Sequence, residues 1–261
     1  MKLNTLIARG RTAEIFAWQE GWILKLFYNG VNLEDIEYEA YLGRAVHATG
    51  LAVPAVGEIV HVNERMGLLY ERVDGIEMVD LLAKKPWRVF HYARRLADLQ
   101  SEMHKRSMGE EFPSQRVRIK RKINQAGALS SHLKFKVNQM LESLPEGDRL
   151  CHGDFHPGNV LITSQAEVSI DWMDATRGNP LADVARTSVM ILGAAGSTEI
   201  SRHLVKMMAR SFHTEYYRHY FRRNPGGERE YQSWLPVVAA ARLSEEIPEL
   251  ENWLVSVVEG G

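Results

Sequence analysis

The first 75 residues alternate between apolar and polar positions, and turn residues interrupt the alternation at short intervals. This pattern is typical of strands that bury one face. It predicts five strands, at Leu3–Ala8, Ala13–Trp18, Trp22–Tyr28, Val56–Val62 and Gly67–Arg72. Between the third and fourth strands, apolar residues recur at helical spacing from the capping residue Asn32 to about Thr49. We therefore expect a mostly antiparallel five-stranded sheet with one inserted helix.

From Val79 onward the apolar spacing changes from that of strands to that of helices. The spacing predicts helices over Pro86–Lys105, 114–128, 131–143 and from Pro180 onward. Asn179 lies directly before that last proline and can cap its helix. The change near Asp74-Gly75 predicts a boundary between a small sheet-rich lobe, residues 1–74, and a larger helical lobe, residues 75–261.

A polar segment, "RLCHGDFHPGNVLI", interrupts the helical region. It contains Asp154 and Asn159, five residues apart, where a proline and a glycine exclude regular structure. Apolar segments 160–163 and 168–171 then predict a hairpin. Such a hairpin would return Asp171 to the end at which Asn159 lies. Two carboxylates and one amide would therefore surround one point.

This set of side chains suits phosphoryl transfer. A carboxylate and an amide oxygen can hold Mg²⁺ together with phosphate oxygens, and Asp154 can accept a proton from an attacking hydroxyl. Each residue alone is more often simple turn chemistry, but the combined spacing favours a function. We interpret His152 and His156 as structural or orienting residues, because the chain has one cysteine and no HExxH motif.

"HGDFHPGN" at 152–159, followed by "IDW" at 170–172, resembles the aminoglycoside phosphotransferase and choline kinase family, whose members are relatives of protein kinases. The resemblance implies a two-lobed, protein-kinase-like α+β fold that uses ATP and Mg²⁺, with GTP left open as the donor. It implies that Asp154 is the catalytic base and that Asn159 and Asp171 are Mg²⁺ ligands. Asp183 in "PLADVAR" matches a family aspartate that supports the catalytic loop.

The resemblance also predicts how the first lobe binds the nucleotide. It implies a lysine on the third strand, which is Lys25 in "WILKLFY", and a glutamate on the following helix. Glu39 lies on the apolar side of that helix and is a better partner than Glu37. "LLYERVDG" resembles the hinge between the lobes, which implies that the backbone of Glu71 and Val73 contacts adenine.

The composition of the chain mainly excludes certain partners and an internal disulfide. The 261 residues carry a formal net charge of −1, so no global field favours nucleic acid or a membrane surface as a partner. The single cysteine excludes an internal disulfide and the N-terminus lacks a signal-peptide pattern, so we expect a cytoplasmic protein. "RVRIKRKIN" places five basic residues in nine, and a solvated helix face is favoured over contact with phosphate or RNA.

The predicted function is ATP-dependent transfer of the γ-phosphoryl group to a hydroxyl of a small molecule. One alternative is an atypical protein serine kinase, although only eight residues separate Asp171 from Pro180 and leave little room for an activation segment. The other is a non-catalytic, kinase-like nucleotide-binding module. Glu245 and Glu246 predict a cationic acceptor, such as an aminoglycoside or an amino alcohol, unless they form only a solvated helix end. The oligomeric state is left open.

Overall fold

A computed structural model describes residues 5–10, 12–196 and 203–260. The described residues form two compact units. The sheet unit contains the chain up to Glu77 together with Asn159–Met173, and the helical unit contains Met78–Gly158 and the chain from Asp174 onward. The sequence analysis instead placed a single boundary at residues 74 and 75, which left 159–173 in the second lobe.

The sheet unit has the five strands and the helix that the alternating pattern predicts. In chain order these elements are β1 (Leu6–Arg9), β2 (Ala13–Ala17), β3 (Trp22–Phe27), α1 (Leu33–His47), β4 (Val56–Val62) and β5 (Arg65–Glu71). The strand order is β1-β2-β3-β5-β4, and every neighbouring pair is antiparallel. The predicted five-stranded antiparallel sheet with one inserted helix is confirmed in this unit.

Successive side chains of β3 point to opposite faces of the sheet, and residues of each face belong to a core cluster. One core cluster consists of Phe16, Leu24, Leu26 and Val62. The other joins the sheet to α1 and consists of Ala13, Phe27, Ile36, Ala40 and Leu68. Lys25 lies two positions before Phe27 and therefore shares the face that α1 covers.

A second, smaller sheet explains why 159–173 belongs to the sheet unit. Its strands are β6 (Ile76–Glu77), β8 (Val160–Ile162) and β9 (Glu167–Ser169). The β8–β9 hairpin is antiparallel, with Val160 opposite Ser169, and β6 pairs along its other edge. The amide of Ser169 also donates to the carbonyl of Ala52, which ties the hairpin to the segment after α1.

The helical unit contains the remaining elements. In chain order they are α2 (Met78–Lys84), α3 (Val89–Met103), α4 (Gln115–Gln125), α5 (Ser131–Ser143), β7 (Arg149–Cys151), β10 (Thr176–Gly178), α6 (Pro180–Gly196), α7 (His203–Arg223), α8 (Glu228–Arg242) and α9 (Pro248–Glu259). Large aromatic side chains of α7 and α8, such as Tyr216 and Trp234, are fully buried in its core. No helix in the part of the chain that the structure describes has the length and apolar character of a membrane span.

Helix α6 begins at Pro180, as the sequence predicts. The side chain of Asn179 accepts a hydrogen bond from the amide of Leu181 at 2.8 Å. The same side chain donates to the carbonyl of Pro145 and to Glu230. Asn32 occupies the corresponding position before α1, but its side chain makes no capping hydrogen bond. Asn32 is therefore a control for Asn179, because both residues precede a helix and only the side chain of Asn179 caps it.

Replacing Asn179 with alanine should lower the free energy of unfolding by about 1–3 kcal/mol, because the helix cap and the hydrogen bonds to Pro145 and Glu230 are lost. Asn32→Ala should change it by less than about 0.5 kcal/mol, as expected for a surface substitution. Urea denaturation of both variants measures the difference. Equal losses would contradict the role assigned to Asn179.

Candidate active site

The loop between β7 and β8 carries Asp154, and its geometry requires a glycine at residue 153. Gly153 has φ +79°, a conformation that L side chains rarely adopt. A Cβ atom at this position would lie 2.4 Å from the carbonyl oxygen of Asp174. The backbone therefore turns sharply just before Asp154, and no larger residue fits without moving the segment that leads into β10.

A buried carboxylate, Asp183, fixes the start of this loop. Its oxygens accept the amide of Gly153 at 2.8 Å and the amide of His152 at 3.2 Å. Two side chains donate to the same carboxylate: Gln100 of α3 at 2.8 Å, and His104, the residue directly after α3, at 3.1 Å. Asp183 therefore joins the loop, α3 and α6 at one point.

Asp183 is ionised despite being buried. Burial alone would raise the pKa of this carboxyl, but the hydrogen bonds from His104, Gln100 and Gly153 hold the pKa below its ordinary value. Because an ionised carboxylate cannot donate, the Nε2 atom of His104 carries the proton in this contact. Asp183 therefore contacts the loop directly, and its role as the support of a catalytic loop stays a prediction.

His152 has an internal role in the loop. Its side chain is fully buried, and its Nδ1 atom accepts the amide of Asp154 at 3.3 Å. Its ring also packs against Phe155 at 5.4 Å between centroids. These contacts agree with an orienting residue rather than with a metal ligand.

Asp154 projects from the loop toward two basic side chains. Its Oδ1 atom lies 3.2 Å from the guanidinium of Arg186, and Nε2 of His156 lies 3.7 Å from Oδ2. Burial would raise the pKa of Asp154, but His156 and Arg186 together hold it well below its ordinary value. Arg186 also donates to the carbonyl of Gly153 at 3.1 Å. The carboxylate is therefore ionised and held from two directions.

The acidic C-terminal segment does not present two free carboxylates. Glu245 forms an ion pair with Arg186 and lies 3.8 Å from Arg242 and 3.9 Å from Lys122. Glu246, next in the chain, is exposed and has φ +52°. The charge of Glu245 is offset by its neighbours, so only Glu246 offers the exposed negative charge on which the cationic-acceptor prediction depends.

In the sheet unit, Lys25 and Glu39 form the contact that the resemblance implies. The Nζ atom of Lys25 lies 2.6 Å from Oε1 of Glu39. The hydroxyl of Tyr70 donates to the same oxygen, also at 2.6 Å. Burial and then the nearby Glu39 raise the pKa of Tyr70 well above its usual range, so the hydroxyl stays protonated. Glu37 lies on the exposed side of α1.

The same unit brings the two predicted metal ligands to one end of the β8–β9 hairpin. The amide of Ile170 donates to the carbonyl of Asn159 at 3.0 Å, and Asp171 follows directly. Asp171 is exposed and adopts φ +63°, an unusual conformation for a residue with a side chain. Such strain costs of order 1–3 kcal/mol and is concentrated at functional sites.

These two side chains fit a magnesium ion by the chemistry of their donor atoms. An amide oxygen and a carboxylate are hard oxygen ligands, and Mg²⁺ usually combines one or two carboxylates with water and phosphate oxygens. The Asp171 carboxylate forms no ion pair with any residue that the structure describes. Its negative charge is therefore not already neutralised by a lysine or an arginine.

The predicted hinge is an exposed segment after β5. The carboxylate of Glu71 accepts the amide of Ala55 at 3.0 Å, and the amide of Arg72 donates to the carbonyl of Gly21. Val73, which follows, is half-buried. Adenine contacts at Glu71 and Val73 stay a prediction.

Several important residues were not identified from the sequence. Arg186 lies one turn after Asp183 on α6, and this spacing of three could have suggested a shared face. Gln100 and His104 are polar residues four apart on the apolar stripe of α3, which is a usable sign of a buried polar contact. No feature of the sequence could have identified Tyr70, because aromatic residues are common in strands.

The sheet with its lysine–glutamate pair, the glycine-dependent loop and the mostly helical second unit define a protein-kinase-like fold. The chain belongs to the phosphotransferase enzyme family (APH), whose model matches residues 5–231. The resemblance stated from the sequence is therefore confirmed. None of the curated proteins matches the chain in sequence.

Solved structures support the fold assignment. An amicoumacin kinase, hAmiN, in complex with AMP-PNP and Ca²⁺ is similar with a TM-score of 0.68 and 14% identity, over 98% of this chain and 86% of that one. An aminoglycoside-3′-phosphotransferase of type VIII is similar with a TM-score of 0.63 and 18% identity, over 93% of this chain and 91% of that one. A choline kinase from Cryptosporidium parvum Iowa II is similar with a TM-score of 0.58 and 12% identity, over 98% of this chain and 87% of that one. At these identities the likeness concerns the fold alone.

The Asp154–Arg186 contact generates a pH prediction. Replacing Arg186 with glutamine should raise the pKa of Asp154, because burial then acts with one positive charge fewer to oppose it. Carboxyl ¹³C NMR of the folded protein titrates the group directly. Arg149→Gln is the control, since Arg149 contacts Ser107 and Asp148 instead. An unchanged Asp154 titration in Arg186→Gln would show that the arginine does not set this pKa.

Proposed function

We propose that the protein transfers the γ-phosphoryl group of ATP to a hydroxyl of a small molecule. The observation that carries the proposal is the ionised Asp154, held on a loop that Asp183 fixes through two backbone amides. The family of phosphotransferase enzymes to which the chain belongs supports this reaction class. Positioning and charge stabilisation supply most of the catalysis in such transfers.

Asp154 would orient the acceptor hydroxyl and take its proton. A carboxyl with so low a pKa is a weak base, so the proton would move only after the bond to phosphorus has begun to form. Phosphoryl transfer has a loose transition state, in which the demand on a base is small. The ionised state of Asp154 is therefore suited to holding the hydroxyl in line rather than to removing its proton in advance.

Lys25 would bind phosphate oxygens of the nucleotide. Glu39 holds its ammonium group in place and uses one of its three N–H donors, which leaves the others for phosphate. Tyr70 in turn holds Glu39. Asn159 and Asp171 would hold Mg²⁺, which supplies neutralisation of the developing phosphate charge.

The proposed acceptor is a small molecule that carries a hydroxyl group. The family resemblance implies a compound such as an aminoglycoside or an amino alcohol, and the exposed Glu246 is compatible with a cationic group. Against a protein substrate, the segment from Asp171 to Pro180 consists of two short elements, a turn at Trp172–Asp174 and β10. We therefore propose a small hydroxylated molecule.

The experiment that tests the proposal is phosphate transfer from Mg-ATP to a panel of hydroxylated compounds, measured by mass spectrometry. With the acceptor found in that panel, Asp154→Asn should reduce turnover by roughly 10²-fold or more, since it removes the proton acceptor. The affinity for Mg-ATP should stay nearly the same. Unchanged turnover in Asp154→Asn would refute the role of this residue.

A second arm of the experiment examines the metal. Asp171→Asn should weaken ATP binding in the presence of Mg²⁺ and leave binding in EDTA almost unchanged, because only the metal-dependent contact is lost. Calorimetric titration of both forms measures the two affinities. Asp35→Asn, at an exposed position of α1, is a matched control. Equal Mg-ATP affinity in Asp171→Asn and the parent would exclude Asp171 as a ligand.

A further inference from the structure

Arg186 is a buried arginine that connects the Asp154 loop with Glu245. Its Nε atom donates to the carbonyl of Gly153 at 3.1 Å, and its Nη2 atom donates to Asp154 at 3.2 Å and to Glu245 at 2.5 Å. Charge-assisted hydrogen bonds of this kind are usually about 2.7–2.9 Å long, so the contact with Glu245 is the tighter of the two ion pairs. Only 11% of the Arg186 side chain is exposed, so these acceptors largely determine where the guanidinium lies.

The charge of Arg186 also depends on Glu245. Burial alone would lower the pKa of this guanidinium, but Glu245, and after it Asp154 and Asp174, raise the pKa above its ordinary value. Breaking a buried ion pair by removing one partner is strongly unfavourable, because the other charge stays buried. Glu245 therefore contributes more than Asp154 does to keeping a charged arginine beside the loop.

The fold holds Glu245 in turn from two further helices. Glu245 ends a short turn of helix, Leu243–Glu245, that directly follows α8. Its Oε1 atom lies 3.9 Å from the Nζ atom of Lys122 on α4, and its Oε2 atom lies 3.8 Å from the Nε atom of Arg242 on α8. The carboxylate thus joins α4 and α8 to Arg186 of α6.

Helix α4 reaches Glu245 because its basic residues divide between two faces. Arg118 and Lys122 are four residues apart and share a face that is largely buried, with 14% and 21% of their side chains exposed. Lys120 is exposed and pairs with Glu142 of α5 at 2.7 Å. The solvated face that the sequence analysis favoured therefore describes Lys120, but it does not describe Arg118 or Lys122.

We propose that Glu245 is a positioning residue for phosphoryl transfer, which acts on Asp154 through Arg186. It holds the guanidinium where one nitrogen contacts the Asp154 carboxylate and another contacts the loop backbone at Gly153. The inference rests on the proposed function, because Asp154 is the residue that would orient the acceptor hydroxyl. It replaces the contact with a cationic acceptor that the sequence suggests for Glu245, since three cations already surround this carboxylate.

Glu245→Gln tests this role, because glutamine has the same shape and lacks the charge. At saturating acceptor and Mg-ATP, turnover should fall about tenfold, since a slightly misplaced catalytic group loses rate. The KM of the acceptor and the affinity for Mg-ATP should change by less than about twofold, as expected for a residue that touches neither compound. Glu251→Gln removes an equal charge at an exposed position of α9 and should leave turnover unchanged.

A double-mutant cycle shows whether the effect passes through Arg186. Arg186→Gln alone should lower turnover, and adding Glu245→Gln to it should lower turnover by less than about twofold more, because coupled residues share one interaction. The melting temperature verifies that each variant is folded. Glu245→Asp keeps the charge and should lose less turnover than Glu245→Gln.

NMR of the Arg186 side chain gives a measurement that does not require turnover. The Nε proton of Arg186 is bonded to the carbonyl of Gly153, so its exchange with water reports how firmly the guanidinium is held. In Glu245→Gln this proton should exchange at least about tenfold faster than in the parent, because the guanidinium has lost a charged partner. In Glu251→Gln it should exchange as in the parent.

Three results would overturn the inference. A raised KM for the acceptor with unchanged turnover would mean that Glu245 contacts the acceptor. Equal losses from Glu245→Gln with and without Arg186, or an unchanged exchange rate of the Arg186 proton, would show that Glu245 does not act through the arginine. A larger loss in Glu245→Asp than in Glu245→Gln would contradict a role for the charge.

Failure of the proposed function has a different signature. In that case the parent protein would transfer no phosphate from Mg-ATP to any compound of the panel. The faster exchange of the Arg186 proton in Glu245→Gln would persist, because this exchange depends only on the contact between the two side chains.

Discussion

The buried carboxylate of Asp183 is the interaction on which the rest of the site depends. It accepts hydrogen bonds from two backbone amides of the loop, from Gln100 of α3 and from His104 directly after α3. A buried charge is very unfavourable unless it is paired and fully hydrogen-bonded. The folded state therefore requires that α3, α6 and the loop meet at this carboxylate, which leaves the backbone before Asp154 little freedom.

Two residues on one face of helix α6, Asp183 and Arg186, contact the loop that carries Asp154. Asp183 fixes the amides of His152 and Gly153, and Arg186, one turn later, holds the carbonyl of Gly153 and the carboxylate of Asp154. The first contact sets the position of the backbone, and the second acts together with His156 to lower the pKa of the side chain. Helix α6 therefore contributes to both the geometry and the electrostatics that the proposed phosphoryl transfer needs.

Local patterns were sufficient to predict much of this structure. Strand alternation predicted β2 and β3 almost to the residue, and the β8–β9 hairpin followed from two apolar segments around a turn. The polar loop could be recognised in the sequence because its polar side chains would be unfavourable in an apolar core. The place of the β8–β9 hairpin in the sheet unit could not be predicted, because it depends on a two-residue strand, β6.

The hydrogen-bond partners of Asp183, Asp154 and Glu39 could not be predicted for a related reason. The contacts of Asp183 with Gln100, of Asp154 with Arg186 and of Glu39 with Tyr70 join residues that are 83, 32 and 31 positions apart. No periodicity connects such residues. The same limit affected Glu245, whose acidic neighbours suggested a free negative patch, although tertiary contacts surround it with cations.

We propose that Asp183 holds the loop in the conformation required for phosphoryl transfer, and the Asp183→Asn variant tests this role. Asparagine has the same shape but lacks the charge that accepts four hydrogen bonds. We predict faster hydrogen exchange at the amides of His152 and Gly153, and turnover lower by about 10²-fold, the effect expected of a small misplacement of a catalytic group. Mg-ATP should still bind. Unchanged amide protection together with unchanged turnover would show that the charge of Asp183 does not hold the loop.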